Sequence, residues 1–158
     1  MPREMLLREL ADAEALFCLL RDKIDDELLA RAPKLKVVST MSVGYEHIDL
    51  EACKKRGIRI GYTPVPEAVR SAQKGILVDI EALTEALKNG LIGAAGLDVT
   101  DPEPFPTDHS LFRMDNCVIL PHIGSATYAT RDLMALTTEQ NICNCLEGKE
   151  MVAELKID

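Results

Sequence analysis

The chain of 158 residues is long enough to form a domain with a substantial core and too short for two ordinary enzyme domains. Its 26 acidic side chains outnumber 18 basic ones, and the net charge of −8 argues against nucleic acid or an anionic membrane surface as a partner, because both attract clustered positive charge. No apolar stretch approaches the ~20 residues of a membrane span, and the first residues show no signal-peptide pattern, so we expect a cytoplasmic protein.

The apolar residues of the first half alternate between helical and strand spacing. Helices are predicted at 2–14, in a short segment that ends at Pro33, and at 47–57. Either Asp25 or Asp26 can cap the second of these helices. Strands are predicted between the helices, at 15–20, 35–40 and 58–62.

The same alternation restarts in the second half of the chain. Its predicted elements are a short strand at 75–79, a helix at 79–90, strands at 92–99 and 117–121, and a helix at 126–146. Alternating strands and helices indicate right-handed βαβ units, so the predicted fold class is α/β with a parallel sheet. The stretch 61–75 breaks the alternation, and it is either an ordinary loop, a short amphipathic helix or a seam where a larger segment is absent.

Two loops at predicted strand ends carry candidate site residues. In "STMSVGYEH" (Ser39–His47), Gly44 allows the backbone N–H groups of the loop to approach an anion, although most such turns bind nothing. In "GLDVTDPEP" (Gly96–Pro104), Asp98 and Glu103 follow a strand end, where open α/β sheets place their ligands. A solvated acidic turn is the alternative here, but the prolines around Glu103 stiffen its backbone and favour a site.

A third candidate lies in "ILPHIGSATYATRDL" (Ile119–Leu133), where His122 is the only histidine at a predicted strand end. We expect His47 and His109 to be exposed in polar surroundings. A lone histidine is more often structural than catalytic. A carboxylate such as Glu103 within hydrogen-bonding distance would fix the tautomer of His122 for proton transfer. The five cysteines fit neither a metal-ligand nor a disulfide pattern, so no metal site is expected.

Three motifs, "STMSVGYEHID", "GLDVTDPEPFPTDHSLF" and "NCVILPHIGSAT", occur in this order and resemble the D-isomer-specific 2-hydroxyacid dehydrogenase family. Within that family the chain is most similar to the glyoxylate/hydroxypyruvate reductases, from about Ala15 to Leu155. The resemblance implies a flavodoxin-like substrate domain formed by 1–64 and 120–158, with 65–119 as the remnant of a Rossmann domain. It also implies an NAD(P)H-dependent reduction of 2-oxo acids such as glyoxylate and hydroxypyruvate to D-2-hydroxy acids.

The same resemblance assigns roles to individual residues. His122 would donate a proton to the substrate carbonyl, and Glu103 would pair with it. The substrate carboxylate would lie on the backbone amides of Ser42, Val43 and Gly44. Three residues would lie beside the NADP or NAD nicotinamide: Asp98, Gly124 and Ser125.

The sequence departs from the family pattern at two places. The family has a G-x-G-x-x-G phosphate-binding turn, and the nine glycines of this chain include no such spacing. The family also has an arginine before a glycine, where this chain has Lys74 and Gly75; lysine keeps the charge but lacks the planar fork that binds a carboxylate with two hydrogen bonds. The resemblance therefore implies a truncated form without most of the nucleotide-binding domain and the N-terminal strands.

Two functions follow from this comparison. The first is a truncated oxidoreductase of the glyoxylate/hydroxypyruvate reductase type, inactive alone because it does not bind NADP or NAD productively. The alternative is a non-catalytic relative that binds 2-oxo or 2-hydroxy acids, or that forms a homo- or hetero-oligomer with an intact family chain.

Overall fold

A computed structural model of the chain describes residues 2–64 and 78–157. The chain divides into two compact units, of which the first combines Met1–Pro64 with Ala129–Asp158 and the second is Val65–Tyr128. The assignment of 1–64 and 120–158 to a substrate domain, and of 65–119 to a nucleotide-binding remnant, stays a prediction.

Helices and strands alternate along the described residues, as the apolar pattern predicts. Their bounds are α1 (Arg3–Glu9), β1 (Ala15–Cys18), α2 (Asp26–Arg31), β2 (Val37–Thr40), α3 (Leu50–Lys55), β3 (Arg59–Gly61), α4 (Ile80–Lys88), β4 (Ala95–Leu97), a 3₁₀ turn (Ser110–Arg113), β5 (Cys117–Ile119), α5 (Tyr128–Leu146) and β6 (Glu154–Leu155). Most are shorter than predicted, because the apolar residues continue into the turns at either end.

The sheet of the first unit has the strand order β1-β2-β3-β6. The first three strands are parallel, and their register places Val38 between Leu16 and Ile60. All three of these side chains are buried in the core. The predicted α/β class with a parallel sheet is therefore confirmed. The sequence analysis missed β6, which pairs antiparallel with β3.

Aspartates cap two helices of the first unit. The Asp25 carboxylate accepts a hydrogen bond from the Leu28 amide, and the Asp49 carboxylate accepts one from the Ala52 amide. Each cap satisfies an N–H group that the first helical turn cannot pair. Of the two predicted caps for α2, Asp25 is therefore the correct one.

The second unit contains α4 and a two-stranded parallel sheet, β4-β5, in which Gly96 pairs with Val118. Asp79 caps α4 by accepting from the Ala82 amide, as the acidic start of the predicted helix indicates. The strand predicted at 75–79 falls mostly on 65–77, outside the described residues. Its described part, Val78 and Asp79, is not in a strand, because Asp79 begins the helix instead.

The longest helix, α5, packs a polar face into the first unit. Met134, Thr138 and Asn141 are its buried residues. The Asn141 side chain donates to the Tyr62 carbonyl and accepts from the Ala153 amide, so α5 is tied to the ends of both β3 and β6. Among the described helices, none combines the length and the apolar character needed to cross a membrane.

An ion pair fastens β6 to β3. The Arg59 guanidinium donates two hydrogen bonds to the Glu154 carboxylate, from Nε to Oε1 at 2.7 Å and from Nη2 to Oε2 at 3.0 Å. The arginine bonds, together with one from Lys156, lower the pKa of Glu154 from 4.5 to about 2 despite its partial burial. This geometry is the bidentate form that makes an ion pair strong.

We expect Glu154→Gln to lower the free energy of unfolding by about 2 kcal/mol at pH 7, measured by urea denaturation. Because the folded pKa lies below the unfolded one, this contribution is complete above about pH 4.5 and is lost as the pH falls through about 2. The difference between wild type and variant should therefore shrink on acidification.

Glu147→Gln is the matched control, since Glu147 forms an exposed ion pair with Lys149. Its effect should stay within about 0.5 kcal/mol. Equal effects of the two substitutions, or a Glu154→Gln effect that does not change between pH 7 and pH 3, would contradict the prediction.

Candidate active site

The carboxyl ends of β4 and β5 bring together three predicted site residues. Asp98 directly follows β4, Glu103 lies in the loop beyond it, and His122 follows β5. Because the two strands are parallel and paired, both loops leave the same edge of this small sheet. All three residues belong to the second unit.

Asp98 holds the turn that carries His122. Its Oδ1 accepts from the Ile123 amide and its Oδ2 from the Gly124 amide, both at 2.7 Å. A Cβ atom on Gly124 would lie 2.7 Å from Asp98 Oδ2, so only glycine allows this contact. The structure thus gives Asp98 a role within the chain, and its predicted position beside a nicotinamide stays a prediction.

The His122 backbone has a strained conformation. Its φ of +53° lies in the left-handed region, which is uncommon for residues other than glycine. The His122 amide donates to the Asp98 carbonyl at 2.9 Å, and the Asp98 carboxylate binds the next two amides. These contacts stabilise a conformation that a short loop would otherwise avoid.

The His122 ring pairs with Glu103 through Nδ1 and Oε2, which are 3.0 Å apart. An ionised carboxylate only accepts hydrogen bonds, so Nδ1 carries the proton of this bond. The other carboxylate oxygen, Oε1, accepts from the Thr100 amide at 3.4 Å, which holds Glu103 from its own loop. The two side chains are 36% and 40% exposed, so the pair is accessible to a small molecule.

The loop after β2 holds the predicted carboxylate-binding residues of the first unit. The Ser42 carbonyl accepts from the Thr63 amide at 3.0 Å. Because the carbonyl and the N–H of a trans peptide point in opposite directions, the Val43 N–H points away from Thr63. The Ser42 hydroxyl donates to the Gly44 carbonyl at 2.8 Å. Hydrogen bonds therefore fix two peptide planes of the loop, Ser42–Val43 and Gly44–Tyr45.

The family model for the D-isomer specific 2-hydroxyacid dehydrogenase catalytic domain matches residues 1–156. The chain belongs to this family. Its members are NAD(P)-dependent oxidoreductases. The family predicted from the three motifs is thereby confirmed.

Individual relatives show how this chain differs in length from other family members. The human glyoxylate reductase/hydroxypyruvate reductase is 28% identical over 288 residues, which cover 99% of this chain and 88% of the relative. Because this chain has 158 residues, the alignment crosses at least 130 positions that it lacks. Glyoxylate/hydroxypyruvate reductase B of Enterobacter sp. (strain 638) is 54% identical over 78 residues, or 49% of this chain and 24% of the relative. The gap agrees with the predicted internal truncation.

Solved structures share the fold of this chain. A protein from Thermus thermophilus has a TM-score of 0.79 at 25% identity, covering 99% of this chain and 90% of that one. An acyclic imino acid reductase (Bsp5), solved in complex with NADPH and D-Arg, has a TM-score of 0.75 at 14% identity with the same coverage.

The two other histidines differ from expectation, since neither is freely exposed. His47 is half-buried, with Nε2 at 3.2 Å from the Thr40 hydroxyl, and burial lowers its pKa below the usual 6.5. His109 accepts from the Leu111 amide and packs its ring against Phe105. The expectation of exposed positions was wrong, because His47 packs against the ends of β1 and β2 and His109 packs against Phe105 of its own loop.

The structure gives less information about the remaining predicted site residues. Lys74 lies outside the described residues, and so does the segment 61–75 from residue 65 onward. Ser125 is buried in the second unit. Within the described ranges 2–64 and 78–157, no group of His, Cys, Asp and Glu could hold a metal ion, and no metal site was predicted.

The sequence analysis missed the hydroxyls of Thr40 and Thr63, which support the loop at Ser42–Gly44. Thr63 Oγ1 donates to the Thr40 carbonyl at 3.0 Å, and both side chains are fully buried. A usable signal existed in the sequence, because the two threonines stand at the ends of the neighbouring predicted strands 35–40 and 58–62.

Proposed function

We propose that the chain is a truncated member of the glyoxylate/hydroxypyruvate reductase type that retains the proton-donating pair for 2-oxo acids but does not reduce them alone. The observation that carries the proposal is the 3.0 Å contact between His122 Nδ1 and Glu103 Oε2. It places the two predicted residues together within one compact unit.

The pair suits proton donation to a carbonyl oxygen. Since Nδ1–H is held by the Glu103 carboxylate, Nε2 is the ring nitrogen that exchanges a proton with a substrate. The carboxylate stabilises the protonated ring before transfer and keeps the same tautomer afterwards. The Asp98 contacts to the following amides hold this ring at the strand end.

The loop Ser42–Gly44 is proposed to bind the carboxylate of the 2-oxo acid through backbone amides. Thr63 sets the peptide plane that carries the Val43 N–H, so this amide needs little reorganisation to meet an anion, and the Ser42 hydroxyl holds the Gly44 carbonyl at the other end of the loop. Glyoxylate and hydroxypyruvate, the substrates named in the human relative, are the 2-oxo acids proposed for this chain.

A nicotinamide cofactor supplies hydride in this family, but the described residues do not fit a bound dinucleotide. The N-terminus of α4 already holds the Asp79 carboxylate, with Glu81 in its first turn, and these charges repel a pyrophosphate. The Ile123 and Gly124 amides donate to Asp98 instead. The sequence also contains no G-x-G-x-x-G turn. The proposal therefore includes no hydride transfer by this chain alone.

Cofactor titration tests this proposal directly. With NADPH fluorescence as the measurement, we expect no saturable binding up to ~1 mM, while the acyclic imino acid reductase that was solved with NADPH binds under the same conditions. Mixed with glyoxylate and NADPH, wild type and His122→Ala should both consume no NADPH above background. Consumption of NADPH that requires His122 would show that the chain is an active reductase and contradict the proposal.

Binding of the 2-oxo acid is measured separately by nuclear magnetic resonance (NMR). Glyoxylate should shift the backbone amide signals of Val43 and Gly44, and acetate at the same concentration and pH should shift them less. Unchanged amide signals with millimolar glyoxylate would remove the carboxylate-binding part of the proposal.

A further inference from the structure

A chain of side-chain hydrogen bonds lies behind the loop Ser42–Gly44. His47 Nε2 is 3.2 Å from Thr40 Oγ1, Thr40 Oγ1 is 2.6 Å from Ser42 Oγ, and Ser42 Oγ is 2.8 Å from the Gly44 carbonyl oxygen. Thr40 and Ser42 are buried.

The directions of the hydrogen bonds follow from counting protons. A carbonyl only accepts, so Ser42 uses its single hydroxyl proton on the Gly44 carbonyl. Thr40 must then donate its proton to Ser42 Oγ. With its own proton used, Thr40 Oγ1 accepts from His47, which requires the proton of the neutral ring to be on Nε2.

The other ring nitrogen has no acceptor for a proton among the described residues. His47 Nδ1 is buried and has no hydrogen-bond partner among the residues that the structure describes. A proton on Nδ1 would be a buried donor without an acceptor, which is costly. Both the Nδ1–H tautomer and the charged ring are therefore disfavoured.

Nearby charges and burial shift the pKa of His47 in opposite directions. Asp22 and Glu46 favour a protonated ring, whereas burial disfavours it more strongly, and the pKa of His47 is lowered in consequence. The Cys18 thiol, 3.8 Å from Nε2, stays protonated because burial raises its pKa to about 12. The ring is thus neutral at pH 7 with one defined tautomer.

We infer that His47 is a positioning residue for the anion-binding loop: its Nε2–H orders the Thr40 and Ser42 hydroxyls, which hold the Gly44 carbonyl and with it the Gly44–Tyr45 peptide plane at the end of the loop. Thr63 fixes the preceding peptide plane independently, through the Ser42 carbonyl. This inference rests on the proposed binding of a 2-oxo acid by the same loop.

The test uses the full chain labelled with ¹⁵N and three variants. His47→Gln keeps an N–H donor near the position of Nε2, and His47→Phe removes the donor while keeping a planar ring. His109→Gln is the control, because His109 is also half-buried but belongs to the second unit. The measurements are the imidazole ¹⁵N signals, the amide signals of residues 42–45, and the glyoxylate dissociation constant.

We expect wild-type His47 to show the Nε2–H tautomer and to stay neutral to a lower pH than an unperturbed histidine. His47→Phe should weaken glyoxylate binding about tenfold and shift the amide signals of residues 42–45. His47→Gln should stay within about twofold of wild type, and His109→Gln should change neither measurement.

An Nδ1–H tautomer in the wild type would overturn the inference even if His47→Phe failed to fold. Unchanged amide signals at residues 42–45 in a folded His47→Phe would also overturn it. If the wild type binds no glyoxylate, the proposed function fails, while the tautomer and the amide signals still decide the inference about His47.

Discussion

Replacing Asn141 with leucine is expected to lower the free energy of unfolding by about 3–5 kcal/mol, a large part of the stability of a small domain. The Asn141 side chain is fully buried on α5. It donates to the Tyr62 carbonyl at 3.0 Å and accepts from the Ala153 amide at 2.9 Å. Leucine has similar size but would leave both backbone groups without these bonds, at ~1–3 kcal/mol each.

The close packing at Asn141 adds to this cost. A Cβ atom on Gly61 would lie 2.9 Å from the Asn141 Cβ and 2.8 Å from Ser39 Oγ, so α5 rests directly on the backbone of β3. The site has no space in which a branched side chain could take another rotamer. Movement of α5 would in turn disturb Thr138, whose hydroxyl lies 2.9 Å from that of Thr63.

Asn144→Leu on the same helix is the matched control, measured with Asn141→Leu by urea denaturation. The Asn144 side chain donates only to the Glu150 carbonyl, at the exposed surface. We expect its effect to be within about 1 kcal/mol. A loss below about 1 kcal/mol for Asn141→Leu would show that the buried bonds are not needed for stability.

The elements that the sequence predicts correctly depend on local signals. Asp25, Asp49 and Asp79 each precede a helix and cap it through an amide three residues later. Such contacts are encoded within one turn of the chain. By contrast, β6 is held by Arg59 and Glu154, which are 95 residues apart, and a two-residue strand has no apolar pattern of its own.

The contacts around the candidate site also fall into those that were predicted from the sequence and those that were missed. The family resemblance implied the pairing of His122 with Glu103, and the paired parallel strands β4 and β5 bring the two loops to the same edge of the sheet. The contacts of Thr138 and Asn141 on α5 were missed, because polar residues on a helix normally indicate its solvent face. Here they face the sheet, and only the three-dimensional structure shows that each has a buried partner.

Supplying the missing nucleotide-binding segment is expected to turn this chain into a reductase that depends on His122. In the chimera, the part of the human relative that aligns with no residue of this chain is inserted within 61–75, where the seam is predicted. Its ability to bind NADPH is established first by fluorescence. Since the inserted segment restores the hydride supply that the chain is proposed to lack, consumption of NADPH with glyoxylate should then rise clearly above the background of the unmodified chain.

Within that chimera, His122→Asn should lower kcat by about 10²–10⁴-fold, the usual contribution of a positioned general acid. Glu103→Gln should lower it less, because the amide can still bond to His122 Nδ1 but no longer stabilises the charged ring. His109→Asn is the control and should leave kcat within about twofold, since the His109 ring packs on Phe105 and has no role in the proposed proton transfer. A chimera that binds NADPH and whose activity survives His122→Asn would show that the 3.0 Å contact with Glu103 is structural, and the proton would have to come from another group.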